Sequence, residues 1–205
     1  MSKPKHNYIY YGTEANALEV RKFIEHLLEA NLHAEAKGAK KTPICVWGPH
    51  GIGKTELVES IAAELGYSFA YIAPAQFEEM GDLIGMPAIV GDHTEFKAPE
   101  WVPRQEGPGL LLIDDVNRAD DRILRGIMQL LQNFELVSWR LPAKWQIVLT
   151  ANPDGGDYSV TPMDDAMLTR MMHITMMFEP KVWALWAEKA GIDPRGITAD
   201  DCSQV

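Results

Sequence analysis

The octapeptide Gly48-Pro49-His50-Gly51-Ile52-Gly53-Lys54-Thr55 restricts the fold of this chain more than any other stretch. Its glycines let the backbone turn tightly and leave amide groups uncovered. Pro43-Ile44-Cys45-Val46-Trp47, a short apolar run, precedes it and reads as a buried strand. Thr55 to Leu65 follows as an amphipathic helix closed by Gly66. A strand, a glycine turn and a helix in this order gather backbone amides and a helix N-terminus around one point. The complementary ligand for such a point is an anion.

The spacing is G-x-x-x-x-G-K-[ST], and its context is the one the mechanism needs. It predicts binding of a nucleoside triphosphate, ATP with Mg2+, along Gly48, Pro49, His50, Gly51, Ile52, Gly53, Lys54, Thr55 and Glu56. Lys54 supplies a point charge for the β- and γ-phosphates, and the Thr55 hydroxyl is a ligand for magnesium. His50 contributes its backbone rather than its ring.

The remaining segments alternate between the two periodicities. Thr13 to Lys37 predicts one long helix, with Lys40 to Pro43 as a linker. Tyr67 to Ile72, Leu110 to Ile113, Trp145 to Thr150 and His173 to Met177 predict further strands. Arg122 to Asn133, Asp164 to Met171 and Lys181 to Lys189 predict helices, and Met86 to Lys97 a hairpin about Gly91-Asp92-His93. Strands interleaved with helices imply a doubly wound α/β fold with a mostly parallel sheet. Trp183 and Trp186 read as core, Tyr8, Tyr10 and Tyr11 as a packing strip, and Met171, Met172, Met176 and Met177 as adaptable packing.

Leu110 to Ile113 ends in Asp114-Asp115, and ligands of parallel sheets collect at such carboxyl ends. Asp114 is expected to face the metal ion, directly or through water, and Asp115 to orient and polarise the attacking water. The net charge of −10 argues against broad binding to a polyanion, so no nucleic-acid partner is expected. Two distant cysteines, Cys45 and Cys202, make no disulfide framework, and a reducing cytoplasm is expected. No run is long and apolar enough to span a bilayer, and the first residues lack the apolar stretch of a signal peptide.

Four segments, in order, resemble an AAA+ ATPase of the MoxR branch, over about Thr42 to Gly191. They are the phosphate loop, Leu111-Leu112-Ile113-Asp114-Asp115-Val116-Asn117-Arg118-Ala119, Ile147-Val148-Leu149-Thr150-Ala151-Asn152-Pro153, and Asp165-Ala166-Met167-Leu168-Thr169-Arg170-Met171. The resemblance implies a strand order of 5-1-4-3-2. It assigns Asn152 to sensing the γ-phosphate and placing the water, and Arg170 to reaching a neighbouring subunit's nucleotide. It therefore implies a homo-oligomer, a hexameric ring. It further implies remodelling of a client protein, with a von Willebrand-type domain as a candidate partner and the 86–97 hairpin directed at the pore or a partner.

The chain departs from the branch in two places. Asp115 stands where glutamate is usual, one methylene shorter, which favours a nucleotide-gated scaffold with weak or no hydrolysis as the alternative function. A small-molecule kinase and a DNA-processing motor are further rivals. Residues 179–205 are too short for the usual helical lid, and Arg195 lies too early for its sensor arginine. The expected organisation is an N-terminal segment and helix over 1–41, the α/β core over 42–178, and the start of a lid over 179–205.

Overall fold

A computed structural model of the chain describes residues 11–153, 160–189 and 191. Tyr8, Tyr10, Arg195 and Cys202 lie outside the described residues. Strand β1 (Thr13–Ala15) leads into helix α1 (Ala17–Ala36), then β2 (Ile44–Trp47), α2 (Lys54–Leu65) and β3 (Ser68–Ile72). Next come α3 (Met80–Ile84), the hairpin strands β4 (Met86–Val90) and β5 (His93–Lys97), β6 (Gly109–Ile113) and α4 (Asp121–Asn133). A small hairpin, β7 (Glu135–Leu136) and β8 (Trp139–Arg140), precedes β9 (Trp145–Ala151), α5 (Asp165–Leu168), β10 (Met172–Met176) and α6 (Pro180–Lys189).

The main sheet has the order β1-β10-β2-β9-β6-β3, with every pairing parallel. Without β1 this is the expected 5-1-4-3-2 order, reading β2 as strand 1 and β10 as strand 5. The central strands are buried from end to end because helices cover both faces. Cys45, Trp47, Leu111, Ile113, Ile147 and Leu149 point to the face carrying α3 and α4. Ile44, Val46, Leu110, Leu112 and Val148 point to the face carrying α1 and α2. This alternation of side chains decides which face each strand-end residue serves.

Three expectations need correction. Residues 13–15 form β1, so the first helix begins only at Ala17; Asn16 caps it, its side chain accepting from the amides of Leu18 and Glu19 while its own amide donates to the Glu19 carboxylate. Trp186 is not core: it is 44% exposed, and the inward position of α6 is Ala187. Met172 is likewise exposed, whereas Met171 and Met176 are buried. The predicted hairpin forms as β4 and β5 with Ile89 opposite Thr94. Among the described residues no helix is long and apolar enough to cross a membrane.

Candidate nucleotide site

Glycine is required in the phosphate loop for two distinct reasons. A Cβ on Gly48 would lie 2.7 Å from both Ile52 Cδ1 and the Met176 carbonyl oxygen. Gly51 and Gly53 have open space around them but sit at φ of 76° and 89°, where side chains are strained. Gly53 also begins α2 without a side-chain cap. By contrast Asn16, Asp120 and Asp164 cap α1, α4 and α5 with side-chain oxygens. The one long helix that opens on the loop thus keeps its N-terminal amides and the positive end of its dipole for an external anion.

Lys54 stands at the centre, 6% exposed. Its ammonium donates to the carbonyls of Gly48 (2.8 Å) and Pro49 (2.9 Å) and to Asn152 Oδ1 (3.2 Å). Burial holds its pKa below the usual lysine range, while Asp115, Asp114 and Cys45 act in the opposite direction. The same burial drives the Cys45 thiol well up, so this cysteine is an unreactive core residue.

Asp114 lies just beyond β6 and turns to the α2 face, as Leu110 and Leu112 do. Its Oδ1 accepts from Thr55 Oγ1 at 2.8 Å and Thr150 Oγ1 at 2.6 Å, and its Oδ2 accepts from the Tyr71 hydroxyl at 3.1 Å. The Tyr71 phenol is pushed up to about 12 by burial and by Asp114, so at neutral pH it is the donor. Thr55, while donating its one proton, retains oxygen lone pairs. A carboxylate and a hydroxyl in contact suit magnesium, which takes few protein ligands and fills its shell with phosphate and water. Among the described residues no cluster of three or more acidic, His or Cys side chains offers an all-protein metal cage.

Asp115 adopts φ 47°, ψ 45°, a left-handed conformation that aspartate tolerates better than most residues. Its amide donates to Thr150 Oγ1 (2.8 Å) and its Oδ1 accepts from Asn152 Nδ2 (2.9 Å). Asn152, 2% exposed, thus uses its carbonyl on Lys54 and its amide on Asp115. Lys54, Thr55, Asp114, Asp115 and Asn152 therefore converge.

Arg170 does not join them. It lies just past α5, with Nε and Nη2 on Gln132 Oε1 at 3.3 and 3.2 Å and Nη1 on the Ala166 carbonyl. Glu56 is in the first turn of α2, and both it and His50 are exposed. Tyr11 packs on Trp47, with ring centroids 4.5 Å apart.

Sequence reasoning missed three supporting residues. Thr150 ties Asp114 to the Asp115 backbone, and its place at the polar end of β9 was the available signal. Asn117, fully buried, donates from Nδ2 to the Asn152 carbonyl (2.7 Å) and accepts the Asn152 amide (3.1 Å). Tyr71 comes from edge strand β3, and nothing in its local sequence marks it.

Residues 43–171 match the family model for the AAA domain of the dynein-related subfamily. The replication factor C large subunit of Ignicoccus hospitalis is 26% identical over 157 residues, covering 75% of this chain and 30% of that protein. The fold is similar to a point mutant of RuvB from Thermotoga maritima (TM-score 0.55, 18% identity, 84% of this chain, 51% of that one). It is also similar to Hsp104 in a closed-state reconstruction with ATPγS and casein (TM-score 0.57, 15% identity, 83% of this chain, 36% of that one). The chain thus spans well under two thirds of each of these proteins. With the family model covering more than half of its length, the chain belongs to the dynein-related subfamily of AAA domains and is an AAA+ ATPase domain.

Proposed function

We propose that the chain binds ATP with magnesium and couples its hydrolysis to remodelling of a protein partner, in the manner of MoxR-type chaperones. The observation that carries this reading is the Asn152 side chain, which joins Lys54 on one side to Asp115 on the other. A neutral amide between a phosphate-binding cation and a water-orienting carboxylate is placed to respond to the γ-phosphate.

The roles follow from the contacts. The uncapped start of α2 and the loop amides cradle the phosphates. Lys54 exchanges its present carbonyl partners for phosphate oxygens and offsets the charge that develops in transfer. Thr55 and Asp114 would hold magnesium, which supplies charge neutralisation on the phosphates. Asp115 orients the attacking water and Asn152 fixes its direction. Arg170, outside its own chain's site, serves the nucleotide of a neighbouring subunit in a homo-oligomer, a hexameric ring. The client protein is remodelled through this ring, with a von Willebrand-type domain as a candidate partner and the cytoplasm as the setting.

A nucleotide-gated scaffold is the second reading. Both oxygens of Asp115 are already engaged, Oδ1 by Asn152 and Oδ2 by Arg118 Nη1 at 3.6 Å. Phosphate release measured against protein concentration separates the two. Specific activity that rises with assembly supports the proposal. No release at any concentration, with nucleotide binding intact, establishes the scaffold instead.

A further inference from the structure

Asp114 is held by three hydroxyl groups from three different elements. Two of them, from Thr55 on α2 and Thr150 on β9, share Oδ1, while the Tyr71 phenol alone holds Oδ2. A carboxylate held at one oxygen can still pivot about that oxygen through concerted χ1 and χ2 changes; a donor on the second oxygen fixes its plane as well.

Tyr71 is poorly explained as a packing residue. The residue is 47% exposed on the outer strand of the sheet. In register it stands opposite Leu112, two residues before Asp114 on the same strand face, so only a long side chain reaches the carboxylate. Phe69 occupies the equivalent position on the same face two pairs earlier and is exposed without being placed at the site.

We propose that Tyr71 is a positioning residue of the magnesium site, fixing the plane of the Asp114 carboxylate through Oδ2 so that Asp114 and Thr55 meet the cation in one geometry. This rests on the reading of Asp114 and Thr55 as the residues that hold the metal. Magnesium tolerates distortion of its octahedral shell poorly, so loss of the phenol weakens metal-assisted nucleotide binding rather than nucleotide binding itself.

The test is the gain in ADP affinity on adding magnesium, measured by titration calorimetry in EDTA and then in saturating Mg2+. Wild type, Tyr71→Phe, Asp114→Asn and Phe69→Leu are compared. Tyr71→Phe keeps the ring and removes only the hydroxyl. Its magnesium-dependent gain should fall about three- to tenfold, with ADP affinity in EDTA within about twofold of wild type. Phe69→Leu should leave both quantities unchanged. Asp114→Asn should remove most of the gain. A full gain in Tyr71→Phe, with Asp114→Asn deficient, overturns the role of Tyr71 and leaves the metal site standing. A wild type without any gain, or an Asp114→Asn variant with all of it, overturns the metal reading and the role of Tyr71 with it.

Discussion

Asn152 illustrates how a single side chain is made dependable. It has to present an amide to two charged neighbours, and its own backbone is buried where water cannot satisfy it. Asn117 pairs with that backbone through both a donor and an acceptor, imitating one rung of a β-ladder. A similar pairing recurs where Asn31 on α1 clasps the amide and carbonyl of Thr42, just before β2. Replacing Asn117 by Ala leaves two buried polar groups unpaired and should cost about 3 kcal/mol of stability. Urea unfolding measures that cost, and kcat should fall further than nucleotide affinity. Asn117→Asp retains the acceptor but sets a buried carboxylate against the Asn152 carbonyl, so it should cost at least as much as the Ala variant. An Ala variant of wild-type stability and turnover would contradict this role. The sequence showed Asn117 only as part of a motif, because its partner lies 35 residues away.

At the scale of elements, legibility followed the range of the interactions. The strands β2, β6 and β9 were readable because burial on both faces demands continuous apolar runs, and α2 because a glycine loop and Gly66 bracket it. Strand β1 was not readable. Its three residues carry no pattern of their own and are strand only through their register with Ile174, Thr175 and Met176. The short hairpin of β7 and β8 and helix α3 are similar: Trp139 Nε1 donates to the Ile84 carbonyl, a tie between distant segments. Trp47 and His173 form another such tie. The Trp47 indole can only donate, so His173 Nδ1 is the acceptor (3.0 Å) and Nε2–H faces the Leu168 carbonyl (2.7 Å). This chain of bonds links β2, β10 and the end of α5, two residues before Arg170. His173→Ala should cost about 2 kcal/mol by orphaning the indole N–H, read as a lowered unfolding midpoint. A midpoint equal to wild type would show that the tie contributes nothing.

For the whole molecule, the telling feature is Arg170, which its own chain leaves outside the site. The site assembles five of its residues within one chain, and the arginine lies on Gln132 and Ala166 instead. The resemblance to a known family supplied the role of Arg170; no spacing in the sequence could have done so, because its expected target belongs to another copy. Complementation follows from the proposed service of Arg170 to a neighbouring subunit. Lys54→Ala keeps a competent arginine with a defective site, and Arg170→Ala keeps a competent site with no arginine to offer. Each should be inactive alone, and a one-to-one mixture should recover about a quarter of wild-type turnover if neighbours pair at random. Failure of the mixture to exceed the sum of its parts would place Arg170 outside catalysis.

The proposed metal positioning, water activation and reach of Arg170 to a neighbour all depend on the loop around Lys54 accepting a triphosphate. Calorimetric titration of the folded chain with Mg·ATP tests this most directly, beside Lys54→Ala as the matched control. The wild type should bind, and the variant, still cooperatively folded, should lose at least about a hundredfold in affinity, roughly 3 kcal/mol. Equal affinity in both proteins, or no binding by a folded wild type, would contradict the assignment of this site.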